Sequence, residues 1–211
     1  MSEDFLIKSY DLNLFSFSKP KKQLNFMVCK IKNDSKDVLI QFPKMETVTS
    51  SSKSIELEFK NEIGYNKKIY NFLSDIDNVI IDYVTLHSEE WFDKKIPNQF
   101  VTQMYNKFIK PPKTTDNRCT LNFTFNKELS LVDKKNEKVE ISEIKKGNTV
   151  ECIAQMKYLI FSKDSCFVTW EICTAKLFKK ILRVPKFGFI EDINDKSEEI
   201  DDDPEEIITF F

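Results

Sequence analysis

Glycine is nearly missing: three residues in 211, at Gly64, Gly147 and Gly188. Loops that cradle phosphates need glycines at fixed spacing, so a P-loop and a dinucleotide fingerprint are both excluded. Histidine is scarcer still, with His87 alone, which removes metal sites and triads built on several imidazoles. Cys29, Cys119, Cys152, Cys166 and Cys173 are odd in number and include no Cys-x-x-Cys pair. No spacing among them suits zinc, and they read as buried, reduced thiols in an intracellular protein. No apolar run approaches the ~20 residues that span a bilayer. Glu3 and Asp4 precede only a short apolar run, so no signal peptide is expected. Glu56 and Glu58 alternate with apolar neighbours and read as an exposed strand face, and no activated nucleophile can be assembled. The expectation is a non-enzyme without cofactor, metal or membrane.

What is abundant is phenylalanine, at 19 residues, and charge that is unevenly placed. From Glu191 to Phe211 ten carboxylates stand against the single Lys196, a net −9. The preceding 190 residues hold 31 cations and 24 anions, a net +7. The total of −2 therefore conceals a basic body and an acidic tail. A block of like charge with few apolar groups cannot bury enough surface to fold, so residues 191–211 are expected to be disordered. The tail nevertheless finishes on Ile207, Ile208, Phe210 and Phe211. An acidic leash with an aromatic end suits a peptide ligand: Asp201, Asp202, Asp203, Glu205 and Glu206 steer, and Phe210 and Phe211 fill a pocket.

The body, residues 1–190, has the length of one sizeable domain. Residues 5–17 suit an edge strand, and Ser18 to Lys22 a basic break. Leu24 to Lys32 alternates, as does Val38 to Phe42, which Pro43 is expected to end. Thr47 to Lys53 reads as a polar loop, and Ser54 to Lys60 alternates again with Ile55, Leu57 and Phe59 inward. The period then changes. Ile69, Phe72, Leu73, Ile76, Val79, Ile80 and Tyr83 form one stripe at helical spacing, about five turns long. Pro97 opens a second helix with Phe100, Val101, Met104, Tyr105 and Phe108 on its inner face. Strands return at Cys119 to Phe125, Val150 to Phe161 and Cys166 to Phe178. Three strands, a helical insert over about 66–110 and three or four more strands predict a β-rich α+β chain: an OB-fold-like antiparallel barrel with an insertion and a disordered tail.

Two resemblances sharpen this. The acidic, Phe-ended tail is similar to the C-terminal tip of single-stranded-DNA-binding proteins of bacteria and T7-like phages. That likeness implies that the tail recruits replication partners and competes with DNA for the protein's own basic groove. In the body, Ile40-Gln41-Phe42-Pro43-Lys44-Met45, Ser88-Glu89-Glu90-Trp91-Phe92, Met104-Tyr105 with Ile109-Lys110, and Phe167-Val168-Thr169-Trp170-Glu171 follow in order. This series resembles a family of OB-fold single-stranded-DNA-binding proteins of large nucleocytoplasmic DNA viruses, African swine fever virus among them. The resemblance implies a host-cytoplasmic viral factory or the virion as location.

Binding an unpaired strand without regard to sequence needs cations along the phosphate path and flat rings for the bases. The candidate cations are Lys30, Lys32, Lys44, Lys157, Lys176, Lys179, Lys180 and Arg183; the candidate rings are Phe42, Tyr158, Phe161 and Phe167, while Trp170 is expected to pack in the barrel. Phe42 with Lys44, and Tyr158 with Lys157, are the preferred pairs. The leading reading is a single-stranded-DNA-binding protein of viral replication, recombination or repair. Its expected partners are single-stranded DNA, with RNA as the alternative, and replication or repair proteins at the tail; homo-oligomerisation stays open. The competing reading is a virion structural or assembly protein that docks through the same tail.

Overall fold

Apolar residues at every second position give strands with one buried face, and here those strands close on one another. The computed structural model describes residues 7–60, 64–110 and 118–180, the side chain of Lys8 apart. Arg183 and the acidic tail lie outside the described residues. The elements begin with β1 (Phe15–Phe17), β2 (Lys21–Gln23), β3 (Phe26–Asn33), β4 (Val38–Ser50) and β5 (Ser54–Lys60). Two helices follow, α1 (Gly64–Phe92) and α2 (Asn98–Met104), then β6 (Tyr105–Asn106), β7 (Arg118–Asp133), β8 (Thr149–Phe161) and β9 (Cys166–Phe178).

Five strands make a ring: β4 pairs β5, β5 pairs β7, β7 pairs β9, β9 pairs β8, and β8 returns to β4. An odd ring cannot alternate direction all the way round. One seam has to be parallel, and it is β7 with β9. The result is an OB-like barrel with α1 and α2 inserted between its second and third strands. Beyond the barrel the sheet continues. β8 pairs β4 along Thr149–Met156 in this ring, then pairs β3 along Tyr158–Phe161. β2 adds to β3, and β6 lies parallel beside the start of β9.

The barrel interior is filled by rings. Phe42 meets Phe123 at 5.0 Å and Trp170 at 5.6 Å, both edge-on, and all three are buried. Edge-to-face pairs of this kind add roughly 0.5–1.5 kcal/mol beyond area burial. α1 buries its stripe, Ile69 to Trp91, and packs on β4 and β5 of the barrel. Tyr83 contacts Phe17 at 4.7 Å, and Trp91 contacts Phe161 at 6.2 Å. The helix stops at Phe92 because Asp93 takes a left-handed φ of +52°, the conformation that commonly ends a helix.

Several sequence expectations change. Pro43 does not end its strand: β4 runs to Ser50, with an irregularity between Phe42 and Met45 at the residue that has no N–H to donate. The expected loop shrinks accordingly, and Thr47 is buried. Lys21 and Lys22 of the basic break belong to a strand, Lys21–Gln23. Of the first expected strand, residues 5–17, only Phe15–Phe17 is a strand among the described residues. α1 has 29 residues, well beyond five turns. The second helix ends at Met104, and Phe100 on it is 59% exposed. Cys29, Cys119, Cys152 and Cys166 are buried as expected, and Cys173 is half-buried.

Candidate nucleic-acid interface

A bulge decides which side chains leave the barrel wall. In a regular strand neighbouring residues point to opposite faces. Between Met156 and Tyr158 the register of β8 against β9 slips, with Met156 opposite Trp170 and Tyr158 opposite Thr169. The extra residue, Lys157, is left on the outside beside Tyr158. Its Nζ lies 5.5 Å from the Tyr158 ring centroid and 2.7 Å from Glu171 Oε2. Glu171 therefore largely neutralises Lys157, and Tyr158 is the freer member of the pair.

Cross-strand register extends this patch. Lys30 of β3 lies opposite Tyr158, which lies opposite Thr169. The next row runs Lys21, Val28, Ile160, Phe167, Asn106 across β2, β3, β8, β9 and β6. At ~4.8 Å between strands this row is about 19 Å wide. Lys21 and Lys30 are exposed, and neither is in an ion pair among the described residues.

At the β9 end the row opens into a cleft of about 570 Å³ lined by Asn106, Lys107, Phe108, Lys110, Asn122 and Phe167, together with apolar wall residues. No carboxylate lines it. Lys107 and Lys110 are exposed and outside any ion pair among the described residues. Lys110 exchanges backbone hydrogen bonds with Thr120 of β7, which ties this short segment to the barrel. Phe108 is half-buried: one face stacks on Trp170 at 4.8 Å and 24°, and its edge meets Phe123 at 5.6 Å.

Asp77 holds the segment from beneath. This carboxylate is buried on α1 and accepts a 2.7 Å hydrogen bond from the Tyr105 hydroxyl and another from the Phe108 backbone N–H. Burial raises its pKa to about 6 against these bonds and the nearby Lys107, which pull it down. The Tyr105 hydroxyl is raised well above its ordinary value by burial and by Asp77.

The other predicted residues separate. Phe42 has no exposed surface, so its ring is a packing group in the barrel. Phe161 is buried against Trp91 and Phe92 beneath the same sheet. Lys32 is paired with Asp37 at 2.7 Å. Lys44 sits 4.2 Å over the Phe178 ring, Lys176 donates to Asn136, and Lys179 pairs with Glu143 at 2.6 Å. With exposed Lys180, these belong to the Thr149–Phe178 end of the barrel. Tyr158 lies nine residue steps along β8 from Thr149 at that end, about 30 Å at ~3.3 Å per residue. Lys30, Lys157, Tyr158 and Phe167 are the predicted residues that the fold gathers.

The residues that sequence reading missed are Asn106, Lys107, Phe108, Lys110 and Asn122. The signal was the Lys-Phe-Ile-Lys run of cation, ring and cation. Helical spacing from Phe100 through Met104 to Phe108 hid it, because the same spacing suits a helix that in fact ends at Met104. The outer face of β5 and β7 is less suited to phosphate. Glu58 lies 2.6 Å and Glu46 3.7 Å from Arg118 there, with Glu56 on the same strand. Among the described residues no group of three or more His, Cys, Asp or Glu can hold a metal ion. His87 stacks on Tyr83 at 4.2 Å and lies 3.3 Å from Glu90.

Among solved structures the chain is similar to a single-stranded DNA-binding protein from bacteriophage Enc34 in a C-terminally truncated form, at 13% identity and TM-score 0.43, over 79% of this chain and 96% of that one. The same phage protein in complex with ssDNA gives 13% identity and TM-score 0.42, over 77% and 95%. The protein gp2.5 of bacteriophage T7, a single-stranded DNA-binding protein, gives 11% and 0.48, over 76% and 97%. No curated protein matches the chain. Residues 44–188, well over half of the sequence, match a single family, so the chain belongs to the family of unknown function DUF5871.

Proposed function

We propose that this protein binds single-stranded nucleic acid, DNA in the first place, without preference for sequence, and serves replication, recombination or repair of a viral genome. One observation carries the reading. Half-buried rings able to offer a flat face (Tyr158, Phe167, Phe108) and exposed lysines free of ion pairs among the described residues (Lys21, Lys30, Lys107, Lys110) lie along one strip that ends in a cleft without carboxylates. Bases stack on rings while lysines track the backbone, a combination that every base satisfies. Asn106 and Asn122 offer amide donors and acceptors at the cleft wall. The acidic tail addresses other proteins and, tethered at high effective concentration, competes with DNA for the basic strip.

The test is fluorescence anisotropy of the full chain with labelled oligo-dT and with blunt duplex of equal length. Tighter binding to oligo-dT, steeply weakened by salt, is expected. Equal or weaker binding to oligo-dT than to duplex at low salt contradicts the proposal.

A further inference from the structure

The β2–β3 hairpin ends in a way that a plain turn does not require. Gln23 pairs with Phe26, so Leu24 and Asn25 form a two-residue turn. Leu24 holds a left-handed φ of +53°. A two-residue turn with positive φ at its first central position favours glycine, and a branched apolar residue there costs backbone energy. Leu24 also keeps its side chain in water, at 91% exposure, with Phe26 behind it at 43%. Strain and solvent-exposed apolar surface fall on one residue, and neither is explained by packing within the described chain.

The surroundings say what such a tip meets. Lys19, Lys21 and Lys22 are exposed on the incoming arm. None is in an ion pair among the described residues, and no acidic residue occurs between Ser18 and Lys32. A basic stem with an apolar point complements a polymer that is anionic outside and apolar inside its base stack. Phe26 lies on β3 with Val28 and Lys30, and Lys21 of β2 pairs with Val28, so the hairpin continues the proposed binding strip.

We infer that the β2–β3 hairpin is a wedge for the junction between single-stranded and duplex DNA: Leu24 inserts at the last base pair while Phe26 receives the base it frees. This rests on the proposed function and extends it from unpaired strands to forks. Apolar side chains that enter a base step unstack it, and the cost is recovered through added contacts. Here those contacts are the freed strand on Lys30, Tyr158 and Phe167.

Leu24→Gly gives a clean test, because glycine relieves the left-handed backbone and should leave the hairpin folded. Two probes are used with the full chain: oligo-dT, and a forked duplex carrying a fluorophore and quencher at its junction. The variant is expected to bind oligo-dT within about twofold of the parent, yet to need about tenfold more protein to open the fork. Unchanged fork opening by Leu24→Gly overturns the wedge. So does an equal loss on oligo-dT and fork, which makes Leu24 a general contact. Loss of interaction with a protein partner alone reassigns the tip to protein docking and also overturns it. Failure of the parent chain to bind oligo-dT at all refutes the underlying proposal instead, which keeps the two claims apart.

Discussion

Tyr158 and Phe42 are both aromatic residues beside a lysine, and burial gives them opposite jobs. Tyr158 stands on the bulge of β8 with one flank open, so its removal takes away a base platform and little packing. Tyr158→Ala is expected to weaken oligo-dT binding by ~1–3 kcal/mol while barely moving the melting temperature. Phe42 is sealed among Phe123 and Trp170. Phe42→Ala is expected to cost about 3–5 kcal/mol of stability, read by thermal or denaturant unfolding. The reverse pattern in either variant would misplace the interface. Alternation could not separate these two residues in the sequence, since it tells which residues share a face but not which face lines a barrel. The bulge that puts Lys157 and Tyr158 on one side leaves no composition signal either.

Between residue and barrel lies the short segment from Tyr105 to Lys110, whose position depends on Asp77. An acid whose folded pKa is raised binds its proton more tightly folded than unfolded. Between the ordinary value near 4 and the folded value of about 6 the native state therefore holds a proton that the unfolded chain has released. Stability contributed by this group is full below that window, falls as pH rises through it, and is flat above, a total of about 3 kcal/mol. Asp77→Asn removes the titration and retains an acceptor for Tyr105 or Phe108. Unfolding curves at successive pH values should lose their slope between pH 4 and 6 in this variant; an unchanged slope would assign it to other carboxylates. Strand and helix identities at this scale were largely readable, because stripes and alternation report the elements directly. The segment itself was not, because apolar spacing ran on past the point where Asp77 and Lys110 redirect the chain.

Across the whole chain, charge is divided between a body of +7 and a tail of −9. This division was legible from the sequence, since counting cations and anions needs no coordinates. Its meaning depends on placement: Lys32, Lys157 and Lys179 are spent on ion pairs, whereas Lys30, Lys107 and Lys110 remain free of them among the described residues. Deleting residues 191–211 should tighten oligo-dT binding at low salt and change it little at high salt, where screening shortens the reach of the tail. Equal affinity with and without the tail at low salt would leave it a docking role only.

The most direct measurement is the slope of log K against log salt for oligo-dT, in the parent chain and in the Lys30→Ala, Lys107→Ala, Lys110→Ala triple variant. At about 0.7 counterions released per phosphate neutralised on a single strand, Lys21, Lys30, Lys107 and Lys110 together predict a parent slope of about −3, and the variant should lose about 2 of it. A slope that the triple substitution leaves untouched would contradict the account, because the strand would then lie somewhere other than this strip.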